Sequence, residues 1–304
     1  MRTVPVSGSP SPEALAKRNS YEPEHDPIDF TQIERRRAEA KAGFAPAVDR
    51  AIDRHALILD DVVIGGVDCL RIRSRRGDND GGRLMYVFGG GFIVGDPETD
   101  MPVIGALAEW CGVEVVAPRY RLAPEHPAPA AGDDCWAVYG SLAAEPGRLL
   151  LAGESAGGNL ALLIAQRALA AGVRAPSAMA LLSPAADLRR DRELFGSVIN
   201  EDPSLSYQLM VDVASVYPGS FALDHPQVSP GLGSTEGLPP TILTTGTHDL
   251  LREMTLRLAE RLRDAGIEVE CNVWPGLWHV FEFYDELPEA AASLGDIARF
   301  LNRH

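Results

Sequence analysis

The chain has 304 residues, 45% of them hydrophobic and 23% charged, enough apolar material for one large domain or two and too much for wholesale disorder. A formal net charge of −15 disfavours nucleic acid and anionic membrane surfaces as partners and is neutral toward a small uncharged substrate. The start lacks the basic, apolar signature of a signal peptide and no run is long enough to span a bilayer, which predicts a cytoplasmic protein. Cys69, Cys111, Cys135 and Cys271 are scattered without C-x-x-C pairing, so buried reduced thiols are expected rather than a metal site or disulfides.

The first fifty or so residues are predicted helical, with two starts. Ser11-Pro12-Glu13 places a capping residue before a proline at the first helical position, and Asp29 followed by Gln32 resembles a capping box. A polar, proline-broken link, Tyr21 to Pro27, joins them. Strands begin near Ala56. The run to Ile64 and the alternating Val67–Ile72 flank Gly65-Gly66, a tight hairpin. After a turn at Asp78–Gly82, Leu84–Val87 reads as a buried strand running into Phe88-Gly89-Gly90-Gly91-Phe92. A helix over Met101–Trp110 stops at Gly112, Val113–Ala117 is a strand, and a helix over Gly132–Leu142 follows.

The apolar run from Arg148 ends in Gly153-Glu154-Ser155-Ala156-Gly157, after which a helical pattern continues to about Ala171. Strand, sharp turn with a central serine, and helix make a nucleophile elbow. A strand at Ala178–Leu182 follows. The segment from about Asp187 to Pro226 interrupts the alternation and reads as an insertion of helical and irregular pieces. Then come a strand at Thr241–Thr245, a helix over Leu251–Ala265, a strand around Val269–Val273 and a last helix over Pro288–Leu301. About eight strands alternating with helices predict an α/β fold with a mostly parallel sheet covered on both faces.

Serine is a poor nucleophile without a base, and the base needs a carboxylate to fix its tautomer. In a parallel sheet such groups lie on loops past the carboxyl ends of strands. His279 and Asp249 both meet that condition, and Ser155, Asp249 and His279 run in the chain order of an α/β-hydrolase triad. His25, His55, His126, His225 and His304 are worse placed, and His248 is expected to be a solvated loop histidine. Asp249 could alternatively cap the helix after it. Attack on a carbonyl creates an oxyanion, and the N–H groups of Gly90, Gly91 and Ala156 are expected to receive it.

The segments Phe88–Asp96, Tyr120–Pro127 and Gly153–Asn159, with Val228-Ser229-Pro230, Gly237–Pro240, Asp249 and His279, resemble the bacterial hormone-sensitive-lipase family of carboxylesterases. The resemblance implies an α/β-hydrolase fold in residues 51–304, with a helical cap made of residues 1–50 and the insertion at about 187–226. It implies hydrolysis of short- to medium-chain acyl esters with no cofactor or metal, and it allows a homodimer through the last strand or helix. Two departures stand out. Phe88 replaces the family's usual histidine before the glycines, and Val280 replaces the glycine that commonly follows the catalytic histidine. Phe92 is expected to line the substrate pocket, Phe88 either to hold the oxyanion loop differently or to shape the acyl pocket, and Trp278 either to narrow the pocket or simply to pack. Amide or lactone hydrolysis, acyl transfer, or ligand binding without turnover stay open at this point, since one scaffold serves them all.

Overall fold

The computed structural model describes residues 4–6, 8–21, 27–77, 81–199 and 201–304. His25 and the first part of the Asp78–Gly82 turn lie outside the described residues. Its centre is a nine-stranded sheet in the order β1-β9-β8-β7-β6-β4-β5-β3-β2. The strands are β1 Val4–Pro5, β2 Leu57–Ile64, β3 Val67–Ser74, β4 Arg83–Val87, β5 Glu114–Pro118, β6 Leu149–Glu154, β7 Met179–Leu182, β8 Thr241–Gly246 and β9 Val269–Trp274. The β2–β3 hairpin is antiparallel and so is its pairing with β5; every other pair is parallel. The eight expected strands are present. β1 is an addition within a stretch read as helical, and its two residues are too few to carry a period.

The hairpin turn follows from its glycines. Gly65 and Gly66 both take positive φ, as a two-residue turn requires, and a Cβ on Gly65 would lie 2.4 Å from the Ala137 carbonyl oxygen. Strands β4, β6, β7 and β8 are buried on both faces, which is why β4, β6 and β7 read as mostly apolar runs, while β8 buries three threonines.

The helices are α1 Pro12–Asn19, α2 Ile33–Arg54, α3 Met101–Cys111, α4 Ala130–Ala144, α5 Ser155–Ala170, α6 Tyr207–Val216, α7 Arg252–Asp264 and α8 Pro288–Leu301. From β4 the chain crosses through α3 to β5 on one side. From β5 it returns through α4 to β6 on the other side of β4. Right-handed crossovers therefore put α3 and α4 on opposite faces, and α3 packs with α8 while α4 packs with α5. β4 and β6 are neighbours whose following connections leave in opposite directions, which opens a crevice at their carboxyl ends.

At the N-terminus, Ser11 caps α1 by accepting the Ala14 N–H. The second start differs from a capping box. Asp29 accepts the Thr31 N–H, and the Gln32 side chain donates to the Asp29 carboxylate rather than to its backbone. The result is a 3₁₀ turn, Phe30–Gln32, that feeds into α2. Arg37 on α2 then ties the helix across the sheet's upper rim, donating to the Ile93 and Ala123 carbonyls and pairing with Glu125. No helix among the described residues is long and apolar enough to cross a membrane.

Candidate active site

Ser155 begins α5 directly after β6 and takes φ +50°, a conformation that costs a side-chain-bearing residue about 1–3 kcal/mol. The turn exists because its neighbours are glycines. A Cβ on Gly157 would stand 1.9 Å from the Val87 carbonyl oxygen, and one on Gly153 would stand 2.4 Å from the Gly157 oxygen. Buried Asn159 fixes the helix behind it by donating to the Ala185 and Val228 carbonyls at 2.7 and 2.9 Å.

Asp249 follows β8 and His279 follows β9. His279 Nε2 lies 2.9 Å from Ser155 Oγ, and His279 Nδ1 lies 3.1 Å from Asp249 Oδ1. Asp249 is fully buried. It accepts from Thr245 Oγ at 2.7 Å and from the Leu251 N–H at 2.8 Å, so it serves the start of α7 as well as His279. Burial would raise its pKa, but the His279 charge and the hydrogen bonds from His279, Ser183 and Thr245 prevail and hold it below the usual carboxylate range. Burial likewise opposes the charged form of His279, and the charge and hydrogen bond of Asp249 outweigh this, leaving its pKa above the ordinary value.

Gly89–Gly91 follow β4 across the crevice from Ser155. Gly90, Gly91 and Ala156 all border the cavity that holds the Ser155 and His279 side chains. Gly90 and Gly91 take positive φ, and a Cβ on Gly90 would strike the Val94 carbonyl at 2.3 Å. Ala156 is the second residue of α5, where an N–H has no carbonyl within its own helix. Beneath the loop Glu154 is buried and faces the Gly89 N–H. Burial, and then the nearby Asp100, push its pKa well up.

The cavity has a volume of about 240 Å³. Its apolar wall includes Phe44 of α2, Phe92, Leu205, and Leu209, Met210 and Val213 of α6. Phe92 was expected here and does line it, stacked on Tyr217 with ring centroids 3.6 Å apart.

Phe88 and Trp278 do not line it, which corrects the pocket role expected of each and leaves the alternatives, a place beside the oxyanion loop for Phe88 and plain packing for Trp278. Phe88 lies under the glycine loop, its ring stacked 4.1 Å from that of Tyr120, whose hydroxyl donates to the Phe88 carbonyl at 2.8 Å. Its side chain points into the core because the following glycines turn the backbone, not the side chain, toward the cavity. Trp278 is fully buried behind the His279 loop, against Tyr21 and Tyr284.

His248 also differs from a solvated histidine. It is partly buried against Arg18 and Thr247, and burial followed by the Arg18 charge lowers its pKa. All four cysteines are buried, as expected.

The profile of an alpha/beta hydrolase fold family matches residues 84–283. An acetyl-hydrolase of Streptomyces hygroscopicus is 32% identical over 246 residues, 80% of this chain and 82% of that protein. Carboxylesterase NlhH of Mycobacterium tuberculosis is 34% identical over 226 residues, 70% of each chain. The crystal structure of an esterase from the bacterial hormone-sensitive lipase family superposes with a TM-score of 0.84 at 27% identity, covering 96% of this chain and 95% of that one. The chain is a carboxylic ester hydrolase and belongs to the bacterial hormone-sensitive-lipase family, on the alpha/beta-hydrolase fold.

Proposed function

We propose that the protein hydrolyses short- to medium-chain acyl esters through an acyl-enzyme on Ser155, with His279 as general base and acid and Asp249 orienting it. The observation that carries this reading is the hydrogen-bonded line from Ser155 Oγ to His279 Nε2 at 2.9 Å and from Nδ1 to Asp249 at 3.1 Å, opening into an apolar cavity. His279 takes the hydroxyl proton as Ser155 attacks the ester carbonyl. The N–H groups of Gly90, Gly91 and Ala156 receive the oxyanion, each worth about 100- to 1000-fold in rate. The alcohol leaves with the proton from His279, and water repeats the sequence to release the acid.

The cavity size and apolar wall favour a modest acyl chain over a long or charged one. Residues 1–50 and about 187–226 act as the cap, since Phe44 from the first and Leu205, Leu209, Met210 and Val213 from the second enclose the cavity.

Ser155→Ala should abolish turnover of p-nitrophenyl butyrate while circular dichroism reports an unchanged fold. Retained turnover in that variant refutes the mechanism.

A further inference from the structure

Asp202 lies in the insertion, just ahead of α6, and its side chain is buried. Its Oδ1 accepts the Ser204 N–H at 2.9 Å, the Ser204 hydroxyl at 3.0 Å and the Leu205 N–H at 3.1 Å, which fixes the carboxylate to its own segment. Its Oδ2 reaches across to two other loops. It accepts the Leu250 N–H at 2.9 Å and the His279 N–H at 3.3 Å. One donor belongs to the residue after Asp249, and the other is the backbone of His279 itself. Side-chain polar atoms of Asp202, Asp249 and His279 all lie within 4.8 Å of one another.

Resting on the triad reading above, we propose that Asp202 is a positioning residue that locks the Asp249 and His279 loops to each other and to the insertion. The same segment supplies Ser204, Leu205, Leu209, Met210 and Val213 to the cavity wall. The surface that receives the substrate and the strap that aligns the triad are therefore one piece of chain. Seating of the wall and alignment of His279 rise and fall together, as when binding energy is used to assemble a site.

The strap also carries charge. The groups facing His279 are Asp249 from the β8 loop, Asp202 from the insertion, Glu282 from its own 3₁₀ turn, and the Ser155 hydroxyl from the elbow. Asp202 faces Asp249, His279 and the hydroxyls of Tyr21 and Tyr284. Burial, and then the charge of Asp249, push Asp202 up to about 6, while five N–H and O–H donors aimed at its two oxygens favour the carboxylate. Removing that anion makes His279 easier to deprotonate and extends activity toward acid.

The test is kcat and KM for p-nitrophenyl butyrate, from about pH 5 to about pH 9, in the wild type, Asp202→Asn and Asp202→Ala. Asparagine keeps an acceptor for the two N–H groups but drops the charge. The acidic limb of kcat/KM should move down by roughly one pH unit. Alanine leaves both donors unpaired, and kcat should fall about 10- to 100-fold, with KM changing less.

An unmoved limb in Asp202→Asn overturns the proposal, whatever alanine does to stability, because a purely structural role would not touch the titration of His279. If neither variant folds, Ser204→Ala removes one of the donors that aim the carboxylate and should lower kcat at unchanged fold; a wild-type kcat there overturns it equally. Organophosphate labelling of the wild-type enzyme separates the two readings. Absence of label on Ser155 defeats the triad itself, whereas normal labelling with an unmoved limb defeats only the role of Asp202.

Discussion

Asp100 is buried on the cavity floor. Tyr86 donates its hydroxyl to Asp100 Oδ2 at 3.0 Å. The Thr99 hydroxyl lies within donating reach of the Asp96 carbonyl at 2.8 Å and of Asp100 Oδ1 at 3.1 Å. Burial outweighs these donors and pushes the pKa of Asp100 up to about 7. In the unfolded chain it ionises near pH 4. Between those values the unfolded chain has released a proton that the folded one retains, so this group's contribution to stability falls as pH rises through that window.

Asp100→Asn keeps the shape and one acceptor oxygen without the titration. In urea unfolding, the variant should gain on the wild type by roughly 1–3 kcal/mol between about pH 4 and about pH 7. A difference that does not change with pH would refute the raised pKa of Asp100. Nothing local in the sequence announces Asp100, because burial decides its state and burial belongs to the folded chain. The same holds for Phe88. Its identity could be read, but the direction of its ring depends on the turn of three following glycines.

At the level of elements, the elbow was legible because steric exclusion writes itself as glycine. Gly157 faces the Val87 carbonyl at a distance that no Cβ can occupy, so Gly157→Ala should destabilise by about 2 kcal/mol or more and displace Ser155. A thermal melt together with the rate of p-nitrophenyl acetate hydrolysis would register both effects, and a wild-type melting temperature would contradict the packing. Helix α8 was also readable end to end, since its apolar period begins at Pro288 and fades after Leu301. The insertion was not. Asp202 sits in Asp202-Pro203-Ser204, an ordinary turn-forming sequence, and only the fold brings it to loops that follow β8 and β9.

Across the whole molecule, the N-terminal segment backs the loop that carries His279. Ala14 and Tyr21 pack with Trp274, Leu277, Trp278 and Phe281 in a cluster separate from the main core. Ser11 bonds to Glu289, and Arg18 donates to the Gly276 carbonyl. Removing residues 1–21 should expose those aromatics, lower the melting temperature by about 4 °C or more and depress kcat, which calorimetry and assay can follow. An active, equally stable truncated enzyme would show that the segment merely rests there.

β1 has a consequence of another kind. Val4–Pro5 pair in parallel with Asn272 and Val273, and the Val6 N–H continues the ladder to the Val273 carbonyl at 3.1 Å. An unpaired sheet margin is a template for a second strand, and here the chain's own tail already occupies part of it. Lateral growth from one molecule to the next along β9 would first have to peel that tail away. A few residues near the N-terminus thus bear on the solubility of the whole enzyme as well as on its fold.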